Sequence, residues 1–529
     1  MRVDGLALHS PYDPAREAER FAESSLGPEP PSTVVILGEG LGYLTRWLAD
    51  VHPAARVIRI YYSTGVFRSS LPIPSRHQQA WHPDLGTKVA EFLRGQISDL
   101  DVEGLRILEW PPSARLFPEL SRAANEAVQQ CLLELNGSLV TTMSMGRVWL
   151  RNSVFNFLSL DEVLEGAPCS SERTVVIVAS GPSLESALPL LIDIRDAVDI
   201  WALPSSLPVL ATAGLEPDLL FMTDPGYYAI HHLHHAVPAC PVAMPLSAAR
   251  GLWELAPRGS RPGPFLLAQP GILEEMFLRA MGVSAPLVAP HGTVAATALD
   301  LARVSTRGPV ILAGLDMCTN DIVSHARPNE FEQFFLQRSS RTTPYYCFWY
   351  RRSADQNAIR VPGSDMARAP LSLRTYAGWL GRDEAAAGPR LYRLLPSPVF
   401  LAGMNPLDAQ TLGELARSSA HPPRGPQLMR HAGLPSRPKR ISLASRILAE
   451  WRGIIAEGRA RAGGPEGHSA LASAEVFAIA YQLATQSLLE TRRKARLGDE
   501  KGARESAVAL LDECEGFLRG LGERIKNAA

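Results

Sequence analysis

Residues Thr174 to Asp224 constrain the fold more than any other stretch of the chain. Val175 to Val178 form an unbroken run of β-branched apolar residues, as expected of a strand buried on both faces of a parallel sheet. The run breaks at Ala179-Ser180-Gly181-Pro182-Ser183 into a helix that starts near Leu184. The first backbone N–H groups of such a helix lack intrahelical partners and point at the turn, which makes a natural anion site. Gly181 lets a phosphate approach the backbone, and Ser180 and Ser183 offer hydroxyls. A second apolar strand, Asp199 to Leu203, ends at Pro204-Ser205-Ser206, and a third, Leu219 to Thr223, ends at Asp224. Three strand ends then place Ser/Gly, Ser/Ser and an acid on one rim of a parallel sheet, where open α/β folds bind ligands.

The same alternation continues through a central block from about Ser171 to Pro406. Its strand candidates are Val175–Val178, Ile200–Leu203, Leu219–Met222, Val242–Met244, Phe265–Ala268, Pro286–Ala289 and Val310–Ala313. Helical intervals between them predict a doubly wound parallel sheet. From Thr342 to Pro370 the pattern dissolves, and the aromatic, basic stretch reads as a long loop or lid. A smaller α/β block precedes, running to about Pro118. Its strand Thr33–Leu37, glycine turn Gly38 to Gly42 and helix Tyr43–Ala49 resemble a dinucleotide-type opening. The next strand ends at Ile60-Tyr61-Tyr62-Ser63, without the acid that such folds use to hold ribose. That block is therefore either structural or nucleotide-binding.

Residues 119–160 read as helical, with Ala123–Leu135 a helix stopped by Asn136-Gly137. Asn152 and Asn156 share a helix face; they serve packing or reach toward a ligand. A proline- and arginine-rich stretch, Ala420 to Lys439, reads as an extended linker. Beyond it, Ile441–Arg461, Leu471–Arg496 and Lys501–Lys526 are amphipathic and can pack as a bundle. The expected division is 1–118, 119–170, 171–410, 411–439 and 440–529. Arg492-Arg493-Lys494 reads as a solvated face or a contact for an acidic partner.

With 529 residues, two to four domains are expected. A formal net charge of -1 provides no global field to recruit nucleic acid. The six cysteines lack CxxC pairing, so a disulfide framework or zinc site is not expected and a reducing cytoplasm fits. The opening MRVDGLALHSPYDPARE has no apolar core of a secretory signal. No apolar run has the length of a membrane span.

The set of motifs has a family resemblance. GPSL after a strand, then Ser205-Ser206, then Gly214-Leu-Glu-Pro-Asp218 and Asp224 resemble the MptE-like (DUF115) domain. Gly292-Thr293-Val294-Ala295 and Pro309 through Gly314-Leu315-Asp316 fit the same pattern, over roughly residues 140 to 405. Arg147-Val-Trp149-Leu-Arg-Asn152-Ser-Val-Phe-Asn156 resembles the lead-in to that domain in bacterial motility accessory factors. The GPSL turn is also similar to the nucleotide-binding turn of a bacterial sialyltransferase family. The resemblance implies a Rossmann-like, sialyltransferase-like central domain with an N-terminal α/β domain and a C-terminal helical bundle. It implies either a flagellin glycosyltransferase using CMP-activated nonulosonic acids or a 6-hydroxymethylpterin diphosphokinase.

The candidate nucleotide contacts are Ser180, Gly181, Pro182, Ser183, Ser205, Ser206, Gly292 and Thr293; the turn read by itself is equally a capped helix start. Asp224 and Asp316, both after strands, are candidate catalytic acids, and together suit Mg²⁺ if the chemistry needs it; Asp224 before Pro225-Gly226 is alternatively an Asx turn. His291 and His325 are candidate bases for an acceptor hydroxyl. His231-His232-Leu233-His234-His235 reads as an exposed helix, since no third ligand type accompanies it. Tyr345, Tyr346, Trp349, Arg351 and Arg352 either cover a departing phosphate or simply pack. The chemistry expected first is transfer of a nonulosonic sugar from a CMP-sugar to Ser/Thr of flagellin. Pyrophosphoryl transfer from ATP to a pterin, and a non-catalytic flagellin-binding factor, are the alternatives.

Overall fold

The structure is a computed structural model that describes residues 2–3, 5–72, 79–233, 239–251, 263–271, 273–289, 292–354, 358–361, 364–380, 390–418 and 424–527. The chain forms two compact units, residues 1–144 with 451–520, and 145–450 with 521–529.

In the first unit a parallel sheet has the order Ala80–Trp81, Arg56–Ile60, Thr33–Leu37, Leu105–Glu109. Thr33–Leu37 is buried throughout, as its TVVIL sequence requires. The glycine turn after it is closed by an imidazole. His9 Nε2 accepts the Leu41 N–H at 2.9 Å, and a Cβ on Gly40 would lie 2.1 Å from that nitrogen. The helix Arg437–Gly463 from residue 451 on, with the helices Ala474–Leu483, Thr485–Arg496 and Glu500–Asn527, belongs to this unit through residue 520. The single helix expected over Leu471–Arg496 breaks at Ala484, where φ is -145°. Arg493 pairs with Glu29 and Glu103, and Lys494 with Glu490, so much of that basic run is spent inside the unit.

The second unit holds a ten-stranded sheet. Across it the order is Asn405–Leu407, Leu391–Leu394, Val310–Ala313, Thr174–Val178, Val198–Ala202, Leu219–Phe221, Val242–Pro245, Pro264–Leu267, Leu164–Ala167 and Gln427–Arg430. Every pairing is parallel except the last. From Thr174–Val178 the chain winds in one direction to Pro264–Leu267, then crosses back to Val310–Ala313 on the other side of Thr174–Val178. The strand order therefore reverses between these two strands, which is where ligands sit in doubly wound sheets. Their apolar residues and those of Val294–Ser305 share one core.

Four strands, at Leu164, Leu391, Asn405 and Gln427, go beyond the sequence reading. Two of them, Asn405–Leu407 and Gln427–Arg430, are edge strands with a single neighbour, and short half-exposed strands carry weak periodicity. Gln427–Arg430 lies within the segment expected to be extended. Pro286–Ala289 is reduced to one bridge, Ala268 to Leu287. The helix expected to stop at Gly137 runs unbroken from Pro118 to Ser159. An internal glycine costs about 1 kcal/mol, and the buried residues on both sides of it, Cys131 and Leu139 among them, outweigh that.

The expected lid is also corrected. Tyr345–Ser353 is an α-helix, and Ile359–Arg360 and Ala367–Ala369 pair in a small antiparallel sheet with Thr319–Asn320. Tyr345, Phe348 and Trp349 fall on one helical face. Phe348 stacks on Phe335 at 5.4 Å and Trp349 meets it edge-on at 5.0 Å, on the neighbouring helix Glu330–Arg338. Packing thus decides the state of a segment whose sequence lacks clear periodicity.

Candidate functional site

At the reversal point, the turn Ser180–Ser183 follows one strand and Gly314–Asp316 follows its neighbour. The Gly181 N–H donates to the Gly314 carbonyl at 2.6 Å. Asp316 accepts the Ser183 N–H at 2.8 Å on one oxygen and the Ser183 hydroxyl at 2.5 Å on the other. Asp316 is 4% exposed. An internal carboxylate therefore takes the position that a helix N-terminus offers to an anion. Leu184 and Glu185 spend their N–H groups on Gly181 and Pro182. Ser183 does not cap its own helix. Gly181 is required here by close approach: a Cβ would lie 2.5 Å from the Gly314 carbonyl and 2.6 Å from Asp316 Oδ2.

The serines divide into two kinds. Ser206 is fully buried and donates to the Val178 and Leu203 carbonyls, so its hydroxyl fastens two strand ends. Ser205 accepts from the Ser180 hydroxyl at 2.7 Å and retains its own proton for an acceptor in the cleft. The Ser180 carbonyl accepts the Ala326 N–H at 2.7 Å. That bond lays the segment carrying His325 across the turn.

His325 is half-buried, with Nδ1 2.8 Å from the Ser324 hydroxyl. Burial, and then the charges of Arg352 and His232, hold its pKa down at about 3. The ring is neutral at pH 7 and can accept a proton only from a strongly activated donor. His232, from the histidine run, is at the same place. Its ring lies 5.6 Å from Phe331, and His325 lies 5.2 Å from that phenyl group. Arg352 sits 3.9 Å over the same ring. Of the expected covering residues only Arg352 is placed here; Trp349 is buried and Tyr345 donates to Glu332 at 3.2 Å. His231 ends the short helix Tyr228–His231, while His234, His235 and His291 lie outside the described residues.

Asp224 is exposed and closes an Asx turn, its Oδ1 accepting the Gly226 N–H at 2.7 Å. Asn152 donates to the carbonyls of Pro225 and Ser247 at 3.1 Å, and Asn156 to those of Leu246 and Ala248 at 2.8 and 2.9 Å. These buried amides hold the rim loops in place. Gly292 and Thr293 open the helix Val294–Ser305, whose N-terminus lies on the carboxyl rim because a helix returning to the next parallel strand runs antiparallel to it. A cavity of about 360 Å³, lined by Arg360, Val361, Arg374, Ala377 and Phe400 among others, includes none of the candidate residues.

The residues do not make a ready magnesium cage. Both Asp316 oxygens are engaged by Ser183 and one Asp224 oxygen by Gly226. Among the described residues no group of three or more His, Cys, Asp or Glu can hold a metal ion, and no helix is long and apolar enough to cross a membrane.

The Ser183–Asp316 bridge and the cluster around Phe331 go beyond the sequence reading. The first joins residues 133 positions apart, and no local pattern encodes such a distance. The second had one faint signal, the paired arginines Arg351-Arg352 in an aromatic stretch.

Comparison with known proteins comes to this geometry from three directions. Residues 149–321 match the family model described as 6-hydroxymethylpterin diphosphokinase MptE-like, within the span where the sequence carries that resemblance. An uncharacterized protein of Treponema pallidum (strain Nichols) is 26% identical over 325 residues, covering 59% of this chain and 71% of that protein. A second from the same organism is 28% identical over 209 residues, 36% of this chain and 68% of the relative. Among solved structures, the MAf glycosyltransferase from Magnetospirillum magneticum AMB-1 matches with a TM-score of 0.58 at 14% identity, over 99% of this chain and 90% of that one. At that identity the likeness is one of fold, and it extends over the α/β units and the C-terminal helices alike.

Proposed function

We propose that the protein is a cytoplasmic glycosyltransferase of the motility accessory factor type, which moves a nonulosonic sugar from a CMP-sugar to a Ser or Thr of flagellin. The observation that carries this reading is the reversal of strand order between Thr174–Val178 and Val310–Ala313, with Ser180, Ser205 and His325 gathered at its carboxyl rim. The likeness in fold to a glycosyltransferase supports it. Asp316 and Ser183 act as positioning residues that hold the turn. Ser205 and the rim N–H groups at Gly292 and Thr293 bind the nucleotide. His325, neutral at pH 7, takes the acceptor hydroxyl's proton as the hydroxyl oxygen bonds to the anomeric carbon and CMP departs with the bonding electron pair. Asp224 lies on the same rim as the second candidate base.

The test is a thermal-shift panel with CMP, CTP, ATP plus Mg²⁺, and 6-hydroxymethylpterin, paired with the mass of flagellin from a deletion strain. Ligand near 100 times its Kd adds about 2.7 kcal/mol of stability. A shift with CMP or CTP that Ser205→Ala removes, and lighter flagellin in the deletion strain, are the expected results. A shift that needs ATP, Mg²⁺ and the pterin assigns the diphosphokinase reading, which the family model's description favours and the engaged Asp316 carboxylate does not.

A further inference from the structure

Phe331 is surrounded by three basic side chains. Arg352 lies 3.9 Å over its face, and the rings of His325 and His232 make T-shaped contacts with it at 5.2 and 5.6 Å between centroids. A cation over a phenyl face is an ordinary contact. The surroundings are not, because among the described residues Arg352 has no carboxylate partner. Glu332, next to Phe331 on its helix, is committed to Arg327 at 3.2 Å and to Tyr345. His232 Nδ1 is a buried nitrogen without a hydrogen-bond partner. His325 uses Nδ1 on Ser324 and has Nε2 left over. Each histidine's proton affinity is lowered first by burial and then by the Arg352 charge. Among the described residues the group therefore has a fixed positive charge, two uncommitted imidazole nitrogens and no internal counter-ion. Such a set is completed by an anion that accepts hydrogen bonds.

The Ser180–Ser183 turn, by contrast, already holds an anion of its own, Asp316. Tyr227 and Tyr228, 72% and 57% exposed, stand beside the cluster, Tyr228 5.8 Å from His231 and 6.4 Å from Phe334. Exposed aromatic faces beside a cation suit the C–H faces of a sugar.

We propose that Arg352 and His232, beside His325 at Phe331, form an anion subsite distinct from the Ser180–Ser183 turn, which binds an anionic group on the sugar-nucleotide donor. The ligand chemistry is a carboxylate or phosphate oxygen. Its two sources are the acid group of the sugar and the phosphate of the nucleotide. The inference rests on the donor reading given above, and it adds Arg352 and His232 to that site as residues that bind without acting on the reacting bond.

The experiment measures, by calorimetry on the full chain, the binding of N-acetylneuraminate (carboxylate only), CMP (phosphate only) and inorganic phosphate. Wild type is compared with Arg352→Gln, Arg352→Lys and Ser205→Ala. Arg352 is exposed, so its variants are expected to fold, and circular dichroism checks that. The expected result is a loss of roughly tenfold or more for N-acetylneuraminate in Arg352→Gln. Partial recovery is expected in Arg352→Lys, and CMP binding is expected to be unaltered. A loss confined to CMP and inorganic phosphate also supports the subsite and assigns its occupant to the nucleotide. Unchanged binding of all three probes in Arg352→Gln overturns it. If wild type binds no CMP while N-acetylneuraminate binding still depends on Arg352, the donor reading fails and the subsite stands.

Discussion

Ser183 and Asp316, 133 residues apart, are joined by two hydrogen bonds that use both oxygens of one carboxylate. The pair ties the turn after one central strand to the turn after its neighbour, at the point where the strand order reverses. Removing one partner leaves the other short of hydrogen bonds in a mostly buried place. Ser183→Ala is expected to cost about 1–2 kcal/mol and Asp316→Ala about 2–3 kcal/mol. Urea denaturation of the two variants checks the order; equal or negligible losses would mean that the bridge contributes little.

Gly181→Ala places a methyl group 2.5 Å from the Gly314 carbonyl and 2.6 Å from the Asp316 carboxylate. Neither can retreat, since one is backbone and the other is held by Ser183. Overpacking of this kind costs about 1–3 kcal/mol, and CMP binding is expected to fall with it. A stable Gly181→Ala protein with unchanged ligand affinity is the contrary outcome.

At the amino end of the central strands, opposite the carboxyl rim, Arg173 and Asp199 form an ion pair at 3.0 Å with exposures of 2% and 0%. Asp199 also accepts the Gly425 N–H at 2.9 Å. Arg173→Met leaves the acid buried and unpaired, which costs about 3–5 kcal/mol. The double variant Arg173→Met, Asp199→Leu is expected to recover much of the loss, and a thermal melt of all three proteins measures it.

Two buried glutamates make stability fall as pH rises. Burial raises Glu39 in the first unit and Glu274 in the second from 4.5 to about 7. The folded state then binds more protons than the unfolded chain, so their effect is full below the unfolded pKa and is lost as pH rises through the folded value. The window is roughly pH 4.5 to 7, and each group's share is about 3 kcal/mol. Glu274→Gln is expected to flatten that slope. The difference in unfolding free energy from wild type, followed from pH 5 to 8, is the measurement; a difference independent of pH removes the linkage.

The catalytic proposal has its own pH signature. With a folded pKa of about 3, His325 stays unprotonated down to acid pH. Its protonation therefore imposes no fall in kcat/KM between pH 8 and 5. His325→Ala is expected to lower kcat by about 10²–10⁴ without moving the acid limb. An acid limb near pH 6.5 that vanishes in His325→Ala contradicts this role.

The central strands were legible because burial on both faces leaves nothing but β-branched and aliphatic residues, as at Thr174–Val178 and Val310–Ala313. The turn was legible from its small residues directly after a strand, and the resemblance to the MptE-like family rested on the set of motifs around it. The helix Tyr345–Ser353 was not, since its helical state rests on Phe335 of another helix. Nor was the fate of the histidine run, because Phe331 and Arg352, which face His232 and His325, come from separate helices. Local sequence determined the strands, the glycine turns and the choice of an open α/β sheet, because these follow from short-range sterics and from the period of burial. Tertiary structure decided which hydroxyls are spent and which remain, that an aspartate fills the anion place at the turn, and that Arg352 comes to lie over Phe331. Those depend on contacts between residues far apart in the chain, where burial and charge act through space.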